Sequence, residues 1–413
     1  MDIRLGHLRM FLAAAERGSV TKAAAALFRA QSSVTRAIFE LEQALGVDLF
    51  ERRPQGLLVT SYGAALLVRA RRIAAELKRA RDEILEAENG SRKAANAAIF
   101  SMQVSEQRLR AFVELVASHH MPTVAKHLGI SQPAVSASIR GLEASLGLPL
   151  FERTAKGMLP TSEGRALAFH VKRALSEIRI ARDEIASLQG ALVGEVVVGA
   201  SPLGRALILP RTISRLLTAH PGLRVSVIDA PFEVTVAELR AGDIDFLFGA
   251  LRPQAMENQL VGEPLFVDEL AIVTRPGHPL RSRARPRLEH LKDARWILPR
   301  RDTPTRQRLE KMFASRGLQP PLTVIETSDL TMLRELLLQG DMITAISPQQ
   351  LDHELGTGAL SMLPIALPET SRTIGLTYRA DGHPSTAATM LMGEIRQYSR
   401  EFAKAGSGQT ASG

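Results

Sequence analysis

Residues 49–52 read LFER, and the same four letters return at 150–153, a displacement of 101 positions (150 − 49). The register extends far beyond the tetrapeptide. Residues 8–85 align without a gap against 109–186, with about thirty identities, from LRMF against LRAF at one end to RDEI against RDEI at the other. A segment this long exceeds a solenoid repeat of roughly 20–50 residues and is the size of a domain. The first 190 residues must therefore build one structure twice.

The same stretch carries the charge. Residues 1–190 hold 27 Lys/Arg against 19 Asp/Glu, and 191–413 hold 25 against 24, so the net +9 divides into +8 and +1. A basic segment joined to a near-neutral one suggests a polyanion-binding module coupled to something else. With 45% hydrophobic and 23% charged residues in 413, the chain has the make-up of an ordinary globular protein of two to four domains. The absence of cysteine excludes disulfides, thiolate metal sites and cysteine nucleophiles. MDIRLGHLRMFLAAAERGS lacks the unbroken apolar core of a signal peptide, and no run of 18 apolar residues follows, so a cytoplasmic protein without a membrane partner is expected.

One unit reads as three helices and a wing. Leu8, Phe11, Leu12 and Ala15 form an apolar helical stripe, Gly18 can end that helix, and Ser19 caps the next, whose inner face is Ala23, Ala24 and Leu27. After FRA, the stretch 31–45 places Val34, Ile38, Leu41 and Leu45 on one side and Gln31, Ser32, Thr35 and Arg36 on the other. Two short helices with polar and amide side chains on the second fit a helix-turn-helix entering the DNA major groove. There Gln reads adenine and Arg guanine, while Ser and Thr hold phosphates. LFERRPQGLLVT then reads as a two-stranded wing turning at Pro54-Gln55-Gly56, with Arg52 and Arg53 at its base.

The run GSVTKAAAALFRAQSSVTRAIFELEQALGVDLFERRPQGLLVTSYG resembles the winged helix-turn-helix of the LysR-type transcriptional regulators, and SQPAVSASIRGLEASLGLPLFERTAKGMLPTSEG matches that pattern more closely still. The resemblance implies that 31–38 and 132–139 are recognition helices. It gives as DNA-binding candidates Lys22, Gln31, Ser32, Ser33, Thr35, Arg36, Arg52 and Arg53 in the first unit. In the second they are Ser131, Gln132, Pro133, Ala134, Ser136, Ser138, Arg140, Arg153 and Lys156. The family is expected to carry one such domain per chain, so a second copy is a departure. His119 and His120 replace the Gly18-Ser19 pair, and Ala137 replaces Arg36. Two adjacent histidines make no metal site, so no metal and no cofactor are expected.

Beyond each wing a helix carries an apolar seam at alternating steps of four and three: Leu66, Ala70, Ile73, Leu77, Ala80 and Ile84, then Leu167, Val171, Ala174, Ile178, Ala181 and Ile185. Such a seam asks for a partner helix. In LysR-type proteins the linker helices pair antiparallel between two chains. Here they can pair with each other as an internal pseudo-dimer, or the second alone can pair between chains in a homo-oligomer. The connector 87–107 is long enough for the internal arrangement at about 3.3 Å per residue.

After Gly194 strands and helices alternate, which predicts a parallel sheet with right-handed crossovers and a ligand site beyond the strand ends. Ser201, Pro231, Phe232 and Gly249 fall there. A second α/β lobe starts around Ala271 and contains the strand-to-helix turn Thr303-Pro304-Thr305 beside Arg300 and Arg301, with 372–380 returning to the first lobe. This half resembles the LysR-type effector domain, similar to periplasmic solute-binding proteins, through ILP…HPGLRV…LRAGDIDFLFG and WILP. LPRRDTPTR followed by IETSDL looks closest to regulators of sugar and aromatic-compound metabolism. The resemblance puts the effector against Ser201, the turn at Thr303 and the Ser328 turn, and Arg301 favours a carboxylate or sugar-derived anion.

The expected chain is thus multidomain: two all-α winged helix-turn-helix domains (1–62 and 107–163) with linker helices (63–88 and 164–190) and a connector (89–106). A two-lobed α/β effector domain (191–405) and a disordered tail (406–413) follow. No nucleophile elbow, P-loop, dinucleotide fingerprint or H-E-x-x-H is present, so no catalytic residue is assigned. The expected function is a sequence-specific DNA-binding transcription regulator switched by a small molecule between the lobes, its partners being double-stranded DNA and a candidate RNA polymerase. The alternatives are a ligand-independent architectural DNA binder and a small-molecule binding protein with no regulatory role.

Overall fold

In the computed structural model, residues 3–54, 56–87, 93–253, 256 and 259–409 are described. The first apolar stripe becomes α1 (Leu5–Arg17), ended by Gly18 at φ 61°, a left-handed conformation glycine adopts at no steric cost. Ser19 accepts the Lys22 N–H and opens α2 (Val20–Leu27). α3 (Gln31–Leu45) buries Val34, Ile38, Leu41 and Leu45. The wing strands β1 (Phe50–Arg53) and β2 (Gly56–Val59) pair antiparallel, and α4 (Ser61–Glu86) leads away.

The second unit repeats the order as α5 (Glu106–Ser118), α6 (Met121–Leu128), α7 (Gln132–Leu146), β3 (Phe151–Thr154), β4 (Gly157–Pro160) and α8 (Ser162–Leu188). His119 takes the place of Gly18 at φ 58° and His120 supplies no backbone cap, its Nδ1 lying 3.0 Å from Thr123 Oγ1 instead. The chain path survives while the cap is lost. Both linker helices start and stop two residues before the expected 63–88 and 164–190. Thr60 and Thr161 set the start by accepting the Gly63 and Gly164 N–H groups at 3.0 and 2.9 Å.

α4 and α8 pack against each other antiparallel, with all twelve seam residues buried. Buried ion pairs flank the seam. Arg69 donates to Glu184 and Glu177, each at 2.9 Å, and Arg72 reaches Glu177 at 3.3 Å. On the other side His170 lies 2.9 Å from Glu76 and 3.0 Å from Glu83, and Arg173 donates to Glu76 at 2.9 Å. Burial disfavours the Glu76 charge, but the His170 hydrogen bond and the charges of Arg173 and Arg79 outweigh it and hold the carboxyl below the usual range. Within the connector, Ala94, Ala97, Ile99 and Met102 are buried in the core shared by both units, so 94–102 is packed rather than slack.

The chain forms two compact units, one built on residues 1–195 and the other on nearly all the rest. In the second, β5 (Gly194–Ala200), α9 (Pro202–Ala206), α10 (Ile208–Ala219), β6 (Leu223–Ile228), α11 (Phe232–Ala241), β7 (Phe246–Ala250) and β8 (Leu260–Asp268) make the first lobe. The second lobe holds β9 (Ala271–Thr274), β10 (Arg295–Leu298), α12 (Pro304–Ser315), β11 (Thr323–Glu326), α13 (Leu330–Gln339), β12 (Met342–Ile346), α14 (Asp352–Gly356) and β13 (Ser361–Met362). β14 (Arg372–Arg379) returns to the first lobe, and α15 (Thr386–Gln409) ends the described chain.

The sheets run β6-β5-β7-β14-β8 and β11-β10-β12-β9-β13. They are mixed, not parallel as the strand–helix alternation suggests. β5/β7 and β11/β10/β12 are parallel, whereas β14 runs antiparallel to β7 and β8, and β9 antiparallel to β12 and β13. The chain passes from β8 to β9 and from β13 to β14 between the two sheets without a helix, so neither step is a crossover within one sheet and the parallel rule does not bind these strands. α15 continues four residues into the segment 406–413 expected as tail, and 410–413 lie outside the described residues. No helix among the described residues is long and apolar enough to cross a membrane.

Candidate nucleic-acid interface and effector site

The polar faces of α3 and α7 are exposed. Gln31, Ser32, Ser33, Thr35 and Arg36 lie on the first, and Gln132, Pro133, Ala134 and Arg140 on the second; Lys22, Arg53, Arg153 and Lys156 are exposed around them. The side chain of Arg52 and the residue Gln55 lie outside those described. Thr21 Oγ1 lies 3.3 Å from Gln31 Oε1, which leaves the amide N–H donors of Gln31 outward. Arg36 Nε donates to Glu40 at 2.8 Å, so both terminal nitrogens remain for a ligand.

Three candidates are otherwise engaged. Ser131 is the N-cap of α7, accepting the Ala134 N–H at 3.3 Å, and Ser138 donates to the Ala134 carbonyl at 2.9 Å, one turn back. Ser136 is half-buried. Two arginines outside the sequence-derived candidates, Arg9 on α1 and Arg29 before α3, lie near each other. Burial and the neighbouring Arg29 charge push the Arg9 guanidinium below its usual pKa, and Arg29 is exposed in the turn before α3. Their proximity depends on the α1–α2 packing, which no local pattern reveals.

In that turn Phe28 adopts φ 51° with 95% of its surface exposed, where the second unit has Gly129 at φ 64°. A β-carbon in left-handed backbone costs roughly 1–2 kcal/mol. Phe28→Gly is expected to raise stability by about 0.5–1 kcal/mol, less than the full strain because glycine adds unfolded-state entropy. Urea denaturation measures it, and a loss of stability would mean the phenylalanine is held by contacts.

Ser201, Phe232 and Gly249 gather at the ends of β5, β6 and β7, with Pro231 exposed beside them. Ser201 N donates to the Phe248 carbonyl, its Oγ is enclosed without a hydrogen-bond partner, and a Cβ at Gly249 would come within 2.5 Å of that oxygen. In the other lobe Thr303 caps α12, accepting from Arg306 N and donating to the Arg300 carbonyl. Arg301 is 79% exposed and lies 4.0 Å from Glu326. Ser328 is exposed and is not the cap of α13; Asp329 is, accepting the Met332 N–H at 2.7 Å.

The cations that do converge are others. Arg252 stacks on the Phe232 ring at 3.9 Å and pairs with Glu233; Arg372 is tied to Asp268 at 2.9 Å and to Thr305 Oγ1 at 3.2 Å. Arg308 on α12 is half-buried, has no hydrogen-bond or ion-pair partner among the described residues, and is pushed below its usual pKa by burial and by the charges of Arg372 and Arg252. Among the described residues no cluster suited to a metal ion is found.

Paired reading helices with wings, followed by a two-sheet α/β unit with ligand-type strand ends, define a DNA-binding regulator that also receives a small molecule. The model of the bacterial regulatory helix-turn-helix protein, lysR family, matches at 5–64 and again at 107–165, and that of the LysR substrate binding domain at 189–400. The HTH-type transcriptional regulator GalR of Pseudomonas putida is 45% identical over 98% of this chain and 100% of its own. The regulator PcaQ of Agrobacterium fabrum is 32% identical over 73% of this chain and 96% of its own. Among solved structures, full-length OxyR from Pseudomonas aeruginosa (TM-score 0.55, 23% identity) covers 71% of this chain and 95% of its own. CbnR, a LysR family regulator (TM-score 0.51, 20% identity), covers 72% and 99%. The chain belongs to the LysR family of DNA-binding transcriptional regulators, which are not enzymes.

Proposed function

We propose that both winged units are copies of one ancestral reading head, that both contact duplex DNA, and that the lobes of the second unit close on an anionic effector. The uncompensated arginine Arg308, beside Arg252 and Arg372, carries the second part. A carboxylate from sugar or aromatic-compound metabolism satisfies such a cluster, since arginines bind carboxylates bidentately. The ligand changes transcription through RNA polymerase by favouring one conformational population over another, by no more than its difference in affinity for the two. DNA binding by such a protein places it in the cytoplasm.

Two measurements test this. DNA affinity is expected to fall linearly with salt on logarithmic axes, with a slope set by the phosphates neutralised; no retention of duplex DNA at low salt would contradict the reading of the heads. At matched ionic strength, sulfate in place of chloride is expected to raise the unfolding temperature reported by Trp296, the one tryptophan, buried on β10. Arg308→Ala should cut that rise by more than half. Equal rises in both proteins would remove the arginines from the effector site.

A further inference from the structure

The pairing of α4 and α8 relates the two heads by a pseudo-twofold operation that can be checked residue by residue. Shifting each residue by 101 turns Arg69–Glu184 into His170–Glu83, Arg69–Glu177 into His170–Glu76, and Arg72–Glu177 into Arg173–Glu76. All six contacts are made. Seam positions obey the same operation, so each recognition helix is mounted on its stalk by the same construction. In a two-chain dimer such symmetry presents one reading surface twice, and the matching site is an inverted repeat.

The reading faces break the operation that the stalk obeys. Gln31 and Gln132 agree, and Thr35 matches Ser136. Arg36, with its side chain 81% exposed, faces Ala137 across the operation; Phe39, 58% exposed, faces Arg140; Arg29 faces Ile130. Glutamine suits adenine, the two free nitrogens of Arg36 suit O6 and N7 of guanine, and a phenylalanine ring suits a thymine methyl. Alanine at 137 can read none but that methyl.

We propose that this chain reads an operator with two unlike halves, sharing an adenine contacted by Gln31 or Gln132 but with a guanine specified by Arg36 in one half alone. A single chain then sits on its operator in one orientation. The proposal rests on both winged units being DNA-reading heads.

The test is selection of binding sites from random duplexes by the full-length protein, followed by the same selection with Arg36→Ala and with Ala137→Arg. Both positions are exposed on a helix, and circular dichroism checks that the variants fold. The wild type is expected to return sites with two distinguishable halves in fixed order. Arg36→Ala should lose guanine preference in one half only, by roughly ten- to a hundredfold, and Ala137→Arg should add guanine to the other. Perfect inverted repeats from the wild type, or an equal loss in both halves with Arg36→Ala, would overturn the proposal while leaving the heads as DNA readers. Recovery of one half-site alone would overturn it together with the role of the second head, and recovery of no site would reject both readings.

Discussion

Arg69→Met is expected to destabilise the first unit by about 3–5 kcal/mol, the cost of leaving buried charge without its partner. The Arg69 side chain is 2% exposed and is shared by Glu177 and Glu184, so methionine fills the volume yet takes the partner of Glu184 and leaves Glu177 with Arg72 alone. Far-UV circular dichroism in urea reads the change, because Trp296 reports only the second unit. Acid acts on the counterpart cluster across the seam, where Glu76 meets His170 and Arg173. The Glu76 carboxyl is held below its usual pKa, so its stabilising contribution is full above the ordinary glutamate range and is lost as pH falls through the depressed value. Arg69→His, which copies the residue at 170, should recover part of the loss at acidic pH and little at alkaline pH, since only imidazolium replaces the charge. A cost below about 1 kcal/mol for Arg69→Met would mean that water reaches the pair.

Gly63→Ala and Gly164→Ala should each cost about 3 kcal/mol, the upper part of the range for overpacked sites. A Cβ at either position would collide with a backbone oxygen, that of Leu49 in one unit and of Leu150 in the other. Those oxygens accept the Thr60 and Thr161 N–H groups, both at 3.0 Å, and so cannot retreat without breaking the joint between wing and linker helix. The matching half-site should lose affinity with the fold. Gly6→Ala is the control: its Cβ meets nothing within 4 Å, and inside α1 it should add about 0.5–1 kcal/mol. Neutral behaviour of both joint variants would show that the wings tolerate displacement.

The helical half was readable because helix periodicity and end signals are local. Gly18, Ser19 and the spacing from Leu66 to Ile84 each act within a turn or two of themselves. The repeat then doubled most such signals, the Gly18-Ser19 pair excepted; the spacing asked for a partner helix, while the antiparallel direction came from the family resemblance and the internal pairing stood beside an interchain one. Strand direction was not readable, since β14 looks like any other apolar run until its partners β7 and β8 are known. Site residues divided the same way. Helix faces placed Gln31, Arg36 and Gln132 outward, but Ser131, Ser138 and Ser328 came from the family resemblance, and only the coordinates reveal that Ser131 caps a helix and that Ser138 bonds its own helix backbone. Arg301 was chosen for its neighbours in sequence, whereas Arg252, Arg308 and Arg372 come from three separate elements and meet only when both lobes are folded.

The connector between α4 and α5, in which 94–102 is packed, makes the association of the two seams unimolecular. Its equilibrium is governed by an effective local concentration rather than by how many molecules the cell holds. Dilution or a low copy number cannot separate the heads. If both heads contact DNA as proposed, each has its own codons and either can drift to new bases while the other keeps its grip, a freedom closed to any reader assembled from identical subunits.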